Sequence, residues 1–468
     1  MIVPCPLCAT TYVLDDALYT SPAHPLWGGG AVVDAASLLA LHQSLRETCA
    51  LLLAFAALSS HPLHLLGLIG IVPLNPIKAL AEGEPLCLAI VANLALDQLS
   101  AELFERVTRR YGKPVFDYGS ALISGRSVAI DETVVWERPF CRLLKFAQQS
   151  IQPAPRSRLL IVAPMSGHYA TLLRGTVEAF LPHYDVYITD WSDARMVPLT
   201  AGSFNLDDYV DYLISIFEFL NEPEDASPLH TLGVCQPSVP LISAIALMEA
   251  DGNAKAPDSM VLMGGPIDTR KSPTAVNLLA QERGTEWFRR NCIVSVPFPY
   301  PGVSREVYPG FLQLSGFMAM NLDRHVNAHL EMFNHLIEGD GDSAEKHRDF
   351  YDEYLAVMDL DAAYYLQTIE EVFVRHSLPK GEMMHRGNKI DLHAIERAAL
   401  MTVEGEKDDI SGVGQTAAAH DLCVRIPGSR KEHYLQAGVG HYGVFNGSRF
   451  KREIAPRICA FFERSEQR

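Results

Sequence analysis

LHTLGVCQPSVPLISAIA, residues 229–246, is the stretch that decides the fold. It begins with a short apolar run at 229–232, which is typical of a buried strand. A tight turn follows at 233–236, and an apolar pattern of helical length then extends over 239–248. The stretch therefore predicts a strand, a sharp turn and a helix, with the side chain of Cys235 at the apex of the turn.

A nucleophilic side chain between a strand and a helix is the nucleophile elbow of the α/β-hydrolase fold. The usual pattern, G-x-S-x-G, does not occur in this chain; Cys235 takes the serine position and Pro237 takes the position of the second glycine. A helix N-terminus favours a thiolate, and a proline in the first helical turn loses no hydrogen bond. The alternative is that Cys235 is a buried structural cysteine.

In this fold a carboxylate and then a histidine follow the nucleophile along the chain. The apolar run 399–403 predicts a late strand, and the acidic segment EGEKDDI, residues 404–410, follows it. A helical stretch is predicted at 414–422 and another strand at 433–436. His441 then lies in a glycine-rich loop. A single histidine is weak evidence, but the order and spacing of these segments predict a catalytic triad.

Upstream of the elbow and just after it, strand and helix patterns alternate, which predicts a doubly wound, mostly parallel sheet. Strands are predicted at 158–163, 186–189 and 260–263. One helix is predicted to end at residue 181, and another is predicted to cover 204–220.

In this fold the loop after an early strand supplies one backbone N–H of the oxyanion hole, and the residue after the nucleophile supplies the other. We therefore expect Gln236 and Met165 to supply these N–H groups. Ser166 is the alternative to Met165, since Pro164 has no N–H.

Six segments of the chain together resemble the intracellular poly(3-hydroxybutyrate) depolymerases, which are cysteine-dependent relatives of the polyhydroxyalkanoate synthases. The segments are PFCRLLKF (139–146), VAPMSGHYATLLRGTVEAFLP (162–182), VYITDWSDARMVPL (186–199), LGVCQPSVP (232–240), VEGEKDDISG (403–412) and GVGHYGVFNGSRF (438–450). The resemblance covers residues 104–462. It implies that Cys235 is the nucleophile, Asp408 the acid and His441 the base of the triad.

Two positions relate this chain to the branches of that family. Asp409 competes with Asp408 as the acid, but the synthases carry Asp-His-Ile where this chain has Asp408-Asp409-Ile410, so the resemblance favours Asp408. Synthases carry G-x-C-x-G at the elbow, whereas Pro237 stands at the last position here, as expected of the depolymerase branch. The implied function is hydrolysis of poly(3-hydroxybutyrate) or another polyhydroxyalkanoate storage polymer to 3-hydroxybutyrate oligomers and monomer, through an acyl-enzyme and without a cofactor.

Other functions stay open from the sequence. A polyhydroxyalkanoate synthase-type acyltransferase would use the same triad in the reverse direction. A non-catalytic granule-associated protein could keep the fold, and a small-molecule thioesterase or dienelactone-type hydrolase could keep the triad under a smaller lid. For a depolymerase, the acyl acceptor is either water or the thiol of coenzyme A.

The segment between the strands predicted at 260–263 and 399–403 is much longer than one crossover helix needs. It is rich in aromatic residues and methionine and has helical patterns. We therefore predict a large, mainly helical lid over the nucleophile, with an apolar pocket that suits an uncharged polyester. The predicted organisation is an N-terminal extension at 1–100, a hydrolase core at 101–265 and 396–468, and the lid at 266–395.

The charge balance and the cysteines narrow the class of protein. Acidic residues outnumber basic ones by 56 to 39, and this excess argues against nucleic-acid binding. Nine cysteines at scattered spacings indicate no disulfide framework, so we expect a reducing, cytoplasmic compartment. Cys5 and Cys8 form a lone C-x-x-C without a second pair of ligands, so we predict no metal site. The resemblance adds a storage-polymer granule surface as the expected partner and location, and it allows a homo-oligomer.

The first 137 residues are harder to interpret. We predict a loop at 1–44 and a helix at 88–111. Residues 48–77 contain no Asp, Glu, Lys or Arg and are long enough to span a bilayer, but prolines and histidines interrupt them and no basic segment precedes them. We favour a poorly structured extension over a membrane helix or a segment that docks on an apolar surface. Alternation at 127–130 and 133–136 predicts a hairpin of two edge strands.

Overall fold

The chain divides into two compact units, residues 1–94 and 95–468. The structure, a computed structural model, describes residues 2–4, 11–13, 112–123, 125–149, 156–222, 227–313 and 353–467. In the first unit, strand β1 (Ile2–Pro4) pairs antiparallel with strand β2 (Thr11–Val13). The prediction of a loop over 1–44 was therefore wrong at these strands, where β-branched residues favour pairing. Cys5, Cys8 and the segments 48–77 and 88–111 lie outside the described residues.

The second unit is built on a nine-stranded sheet, and an insertion adds five short strands among the described residues. In chain order the strands are β3 (Ser120–Ile123), β4 (Arg126–Arg138), β5 (Cys141–Gln148), β6 (Arg158–Val162), β7 (Asp185–Trp191), β8 (Leu229–Val234), β9 (Ser259–Met263), β10 (Val294–Ser295), β11 (Glu306–Tyr308), β12 (Leu360–Asp361), β13 (Met384–His385), β14 (Asn388–Lys389), β15 (Ala399–Gly405) and β16 (Lys431–Gln436). The order across the sheet is β16-β15-β9-β8-β6-β7-β5-β4-β3. The six strands from β16 to β7 are parallel, and the last three pair antiparallel.

Helices connect the parallel strands, so the sheet is doubly wound and the predicted α/β-hydrolase fold is confirmed. The helices are α1 (Arg174–Phe180), α2 (Leu206–Leu220), α3 (Ser238–Ala250), α4 (Ala275–Cys292), α5 (Ala362–Thr368), α6 (Ala419–Leu422), α7 (Gly447–Arg449) and α8 (Ala455–Glu466). Helix α3 follows the nucleophile turn and is apolar on nearly all sides. Its side chains, among them Leu241, Ile242 and Ile245, are buried in the main core. This burial fixes the helix that supports the elbow.

The order of the strands places two predicted site loops side by side. The chain runs from β6 to β7 on one side and then crosses to β8 on the other side of β6. Because ligands of doubly wound sheets bind at the carboxyl ends of the strands where the order reverses, the loops after β6 and β8 form a natural cleft. The first loop contains Met165, and the second contains Cys235 and Gln236.

Two further secondary-structure predictions, both in the second unit, were wrong. The expected hairpin at 127–136 is one long strand, β4, in which Asp131 and Glu132 stay paired with β5. No glycine, proline or asparagine interrupts this run, so the chain continues extended and turns only beyond its ends. The expected helix at 414–422 is helical only in α6. Before α6, the N–H groups of Gly414 and Thr416 donate to the Glu404 carboxylate, so this carboxylate holds the segment as a loop.

The insertion between β9 and β15 combines helices with small sheets in its described part. Helices α4 and α5 accompany a three-stranded antiparallel sheet, β10-β11-β12, and the pair β13-β14. The guanidinium of Arg305 donates to the carboxylate of Asp361 at 2.7 Å and to the carbonyls of Val197, Pro198 and Gly202. The ion pair is almost fully buried and joins two parts of the insertion, and the bonds to the carbonyls hold the insertion against the loop after β7.

Candidate active site

Cys235 lies at the turn between β8 and α3, where the sequence places a nucleophile. Its backbone φ is +69°, a left-handed conformation that costs a non-glycine residue about 1–3 kcal/mol. The N–H of Cys235 donates to the carbonyl of Met263 at 2.6 Å, and its carbonyl accepts the N–H of Ser238 at 3.1 Å. Pro237, predicted in the first helical turn, is the residue immediately before α3. These bonds hold the strained turn that presents the thiol.

His441 and Asp408 meet beside this turn. His441 Nδ1 lies 2.8 Å from Asp408 Oδ2, and both side chains are buried. The other oxygen of Asp408 accepts the N–H groups of Ile410 at 2.9 Å and Ser411 at 2.8 Å. Both oxygens of the Asp408 carboxylate are therefore held by hydrogen bonds. Of the two neighbouring acids, Asp408 and not Asp409 is bonded to His441.

The electrostatics of His441 favour a protonated imidazole. Burial by itself would lower the pKa of His441, but the charges and hydrogen bonds of Asp408 and Cys235 outweigh burial and hold the pKa well above its usual range. An imidazolium beside the thiol stabilises a thiolate, which is the nucleophilic form of cysteine. His441 is therefore placed to exchange a proton with the thiol of Cys235.

Two glycines after β9 let the backbone approach these groups closely. A Cβ on Gly264, whose φ is +55°, would lie 3.2 Å from Cε1 of His441 and 3.3 Å from Oδ2 of Asp408. A Cβ on Gly265 would lie 2.0 Å from Oγ of Ser238 and 3.0 Å from the carbonyl oxygen of Cys235. The segment after β9 thus packs against both halves of the candidate triad, and a side chain at either position would displace them.

The expected oxyanion donors, Met165 and Gln236, lie in the neighbouring loops after β6 and β8. Within the described part of the chain, no hydrogen bond uses the backbone N–H of either residue. The start of the first loop is fixed at Ala163, whose N–H donates to Oγ1 of Thr189 and whose carbonyl accepts Nε1–H of Trp191, both at 2.9 Å. The role of Met165 and Gln236 as oxyanion donors stays a prediction.

The insertion contacts the loop after β6, and these contacts were not predicted from the sequence. The N–H of Met358 donates to the carbonyl of Gly167 at 2.7 Å. The ring of Tyr354 lies 4.9 Å from the ring of His168 and 5.8 Å from that of Tyr442. The abundance of aromatic residues and methionine in the insertion was the sequence signal for such contacts, but it did not indicate which residues make them.

A small cleft opens over Cys235. Its lining is mostly apolar. The lining residues are Pro164, Ser166, His168, Leu172, Cys235, Ile410, His441, Tyr442 and Phe445. Ser166, the alternative to Met165, is among them. An uncharged acyl group therefore fits the site better than a charged one.

Metal ligands and membrane spans can be assessed for the described residues only. Among these residues, no three or more His, Cys, Asp or Glu side chains are grouped so that they could hold a metal ion. None of the helices described in the second unit is long and apolar enough to cross a bilayer.

Comparisons with known proteins give a matching family model and a related sequence. Residues 264–466 match a family model described as PHB de-polymerase C-terminus. The poly(3-hydroxyalkanoate) polymerase subunit PhaC of Haloferax mediterranei is 22% identical over 341 residues, and the match covers 71% of this chain. The match covers 64% of the polymerase subunit, so this chain spans less than two thirds of that relative's length.

Solved structures of similar overall shape come from several esterases and lipases. A soluble variant of monoglyceride lipase from Saccharomyces cerevisiae is 10% identical, with 72% of this chain and 96% of that chain covered and a TM-score of 0.43. Est1E from Butyrivibrio proteoclasticus is 8% identical, with 72% and 99% covered and a TM-score of 0.40. The fold assignment follows from the sheet topology described above.

Proposed function

We propose that this protein cleaves the ester bonds of poly(3-hydroxybutyrate) or a related polyhydroxyalkanoate through an acyl group held on Cys235. The observation that carries the proposal is the 2.8 Å hydrogen bond between His441 and Asp408 beside the strained Cys235 turn. The match of residues 264–466 to the PHB de-polymerase C-terminus supports the substrate class. That match includes Asp408 and His441, whereas Cys235 lies before it.

In the first half of the reaction, His441 holds the proton of the Cys235 thiol and the thiolate attacks an ester carbonyl carbon. A C–S bond forms, and the carbonyl electrons move onto oxygen, where the N–H groups of Gln236 and Met165 stabilise the charge. One such donor typically contributes about 10²–10³ in rate. The intermediate collapses, the C–O bond breaks, and His441 gives its proton to the departing hydroxyl group.

In the second half, the acyl group on Cys235 is transferred to water. His441 removes a proton from the water, the oxygen attacks the thioester carbonyl, and the C–S bond breaks with return of the proton to the sulfur. Asp408 holds the imidazole in the required tautomer and stabilises its charged form throughout. The products are a 3-hydroxyalkanoate and a shortened chain, and each cycle restores the thiol.

The character of the cleft supports an uncharged polyester as substrate. Most of its lining is apolar, and the insertion brings aromatic side chains such as Tyr354 next to it.

We also propose that the protein works at the surface of storage-polymer granules in the cytoplasm, since such a polymer is insoluble. A homo-oligomer stays a prediction, as do the domain boundaries.

The second candidate function is polymer synthesis by the same thiol chemistry. The similarity to the polymerase subunit of Haloferax mediterranei favours it. In that direction Cys235 would accept an acyl group from a hydroxyacyl thioester of coenzyme A and pass it to the hydroxyl end of a growing chain. Pro237 argues for hydrolysis instead, because it replaces the glycine found at the synthase elbow.

The test compares both directions of the chemistry in the wild type and in Cys235→Ala. Release of 3-hydroxybutyrate from amorphous granules is measured alongside polymer formation from 3-hydroxybutyryl-CoA. Cys292→Ala serves as the matched control, since Cys292 is another partly buried free cysteine and does not line the cleft. We expect release by the wild type and by Cys292→Ala, and at least about 10³-fold less by Cys235→Ala.

Three other outcomes would redirect the proposal. Release that survives in Cys235→Ala would exclude Cys235 as the nucleophile. Polymer growth from the thioester without release would reverse the direction of the chemistry. Granule binding without either reaction would favour a non-catalytic granule protein that keeps the fold.

A further inference from the structure

His168 is a polar side chain of the cleft that the triad chemistry does not use. It follows the loop after β6 and is 4% exposed, yet it lines the same cleft as Cys235 and His441. The neighbouring lining residues, among them Pro164, Leu172 and Phe445, are apolar or aromatic. A buried imidazole on such a wall is suited to recognise a polar group of the substrate.

The insertion fixes the position of this imidazole. The ring of Tyr354 packs on the ring of His168 at 4.9 Å, with 36° between the planes. On the backbone, His168 forms an antiparallel bridge with Val357, and the carbonyl of Gly167 accepts the N–H of Met358. Two independent contacts therefore hold the side chain at one place on the wall, and such pre-organisation is what a specificity contact needs.

The two histidines of the cleft differ in charge. Burial lowers the pKa of His168 to about 4, although a hydrogen bond with the backbone of Tyr354 opposes the shift. His168 is therefore neutral near pH 7, whereas Asp408 and Cys235 keep His441 protonated. The bond to the Tyr354 backbone raises the pKa, so one ring nitrogen donates in it, and the other nitrogen of a neutral imidazole is an acceptor that suits a hydroxyl donor. A carboxylate gains no charge attraction from His168.

We propose that His168 binds the free 3-hydroxyl group of the acyl unit that Cys235 attacks, so that the enzyme removes the hydroxyl-terminal unit of a polyester chain. This inference rests on the proposed function. The 3-hydroxyl and the carbonyl belong to the same short unit, and His168 and Cys235 line the same cleft. An internal unit has an ester oxygen at that position, which cannot donate and which carries the rest of the chain towards the wall.

The test uses three esters with the same leaving group, 3-hydroxybutyrate. The first is the dimer 3-hydroxybutyryl-3-hydroxybutyrate, the second is butyryl-3-hydroxybutyrate, which lacks the 3-hydroxyl, and the third is the dimer acetylated on its 3-hydroxyl. For each ester, kcat/KM is measured by chromatography of the products. The quantity of interest is the ratio between esters within one variant, because a general loss of folding or of triad geometry lowers all three rates together.

His168→Phe and His168→Gln form the matched pair of variants. Phenylalanine keeps the ring that packs on Tyr354 but has no hydrogen-bonding group, whereas glutamine keeps a donor and an acceptor. We expect the wild type to prefer the free dimer over both other esters by about tenfold, which is the size of one hydrogen bond in a buried site. In His168→Phe the preference should vanish, and in His168→Gln part of it should return.

Two results would overturn the inference about His168 but leave the proposed function intact. One is a His168→Phe variant that keeps the wild-type preference, and the other is a wild type that cleaves the acetylated dimer as fast as the free dimer. The proposed function fails in a different way, when cleavage of all three esters is absent or does not depend on Cys235. Measuring Cys235→Ala on the same esters separates the two failures.

Discussion

The loops at the strand ends and the insertion contribute to the cleft in different ways. Cys235, Asp408 and His441 come from the loops after β8, β15 and β16, so the parallel sheet brings the candidate reacting groups together. The insertion provides none of these groups, but Tyr354 and Met358 pack against the loop after β6. The sheet therefore positions the candidate reacting groups, whereas the insertion shapes the wall of the cleft.

The two regions also differ in how tightly they are packed at the site. Around the triad, a Cβ on Gly265 would clash with Ser238 at 2.0 Å, and a Cβ on Gly264 would lie 3.2 Å from His441, which is tighter than ordinary contact. The insertion instead acts through ring contacts of 4.9 and 5.8 Å and one backbone hydrogen bond. Changes in the first region should therefore reduce the rate more than changes in the second.

The largest effect is expected at the acid of the candidate triad, Asp408. Asp408→Asn should lower kcat/KM by about 10³–10⁴, because the amide no longer holds His441 in the required tautomer or charge state. Asp409→Asn is the matched control and should change kcat/KM by less than about threefold, since His441 bonds to Asp408. The measurement is release of 3-hydroxybutyrate from granules. Equal losses in both variants would refute the choice of Asp408 as the acid.

A smaller effect is expected from a methyl group placed against the triad. Gly264→Ala puts a Cβ 3.2 Å from His441 and should lower kcat by about 10–100-fold. Gly252→Ala is the control, because its φ of +65° is equally unfavourable for alanine but nothing lies within 4 Å of the new Cβ. Both variants should lose about 1 kcal/mol of stability in denaturant unfolding. Full activity in both variants would mean that the triad tolerates a methyl group at residue 264.

The features predicted from the sequence are those that depend on short segments. The strand, turn and helix around Cys235 could be predicted, because an apolar run, a tight turn and a second apolar run follow one another without a gap. The same holds for β15 and β16 and for the loops after them. The positive φ of Cys235 follows from the turn itself, which must bend sharply to present a side chain at its apex.

The features that the sequence did not predict depend on long-range partners. The loop at 414–417 replaces a helix because Glu404, ten or more residues earlier, binds its N–H groups. The contact of Tyr354 with His168 joins residues from the insertion and the loop after β6, and no local pattern indicates it. Periodicity reports which face of an element is buried, but not which distant residue covers it.

The contribution of the insertion is tested by changing Tyr354, whose ring packs on His168. Tyr354→Leu removes the ring that packs on His168 and should lower kcat by about tenfold while KM changes little, because the loop after β6 loses its support. Tyr354→Phe keeps the ring and should stay within about threefold of the wild type. Circular dichroism checks that both variants are folded. A tenfold loss in Tyr354→Phe as well would assign the effect to the hydroxyl group and not to the ring.

The smallest effect concerns how charge at the triad affects stability. Since the pKa of His441 is raised in the folded protein, the stability from its charged form is fully present below about pH 6.5, its ordinary pKa. This stability is lost as the pH rises towards the folded pKa, with a slope of at most roughly 1.4 kcal/mol per pH unit for one proton. Urea unfolding of the wild type and of His441→Gln should therefore give free energies whose difference shrinks from pH 6.5 upwards. A difference that stays constant up to pH 9 would mean that His441 is neutral in the folded protein, and the thiolate would then need another source of stabilisation.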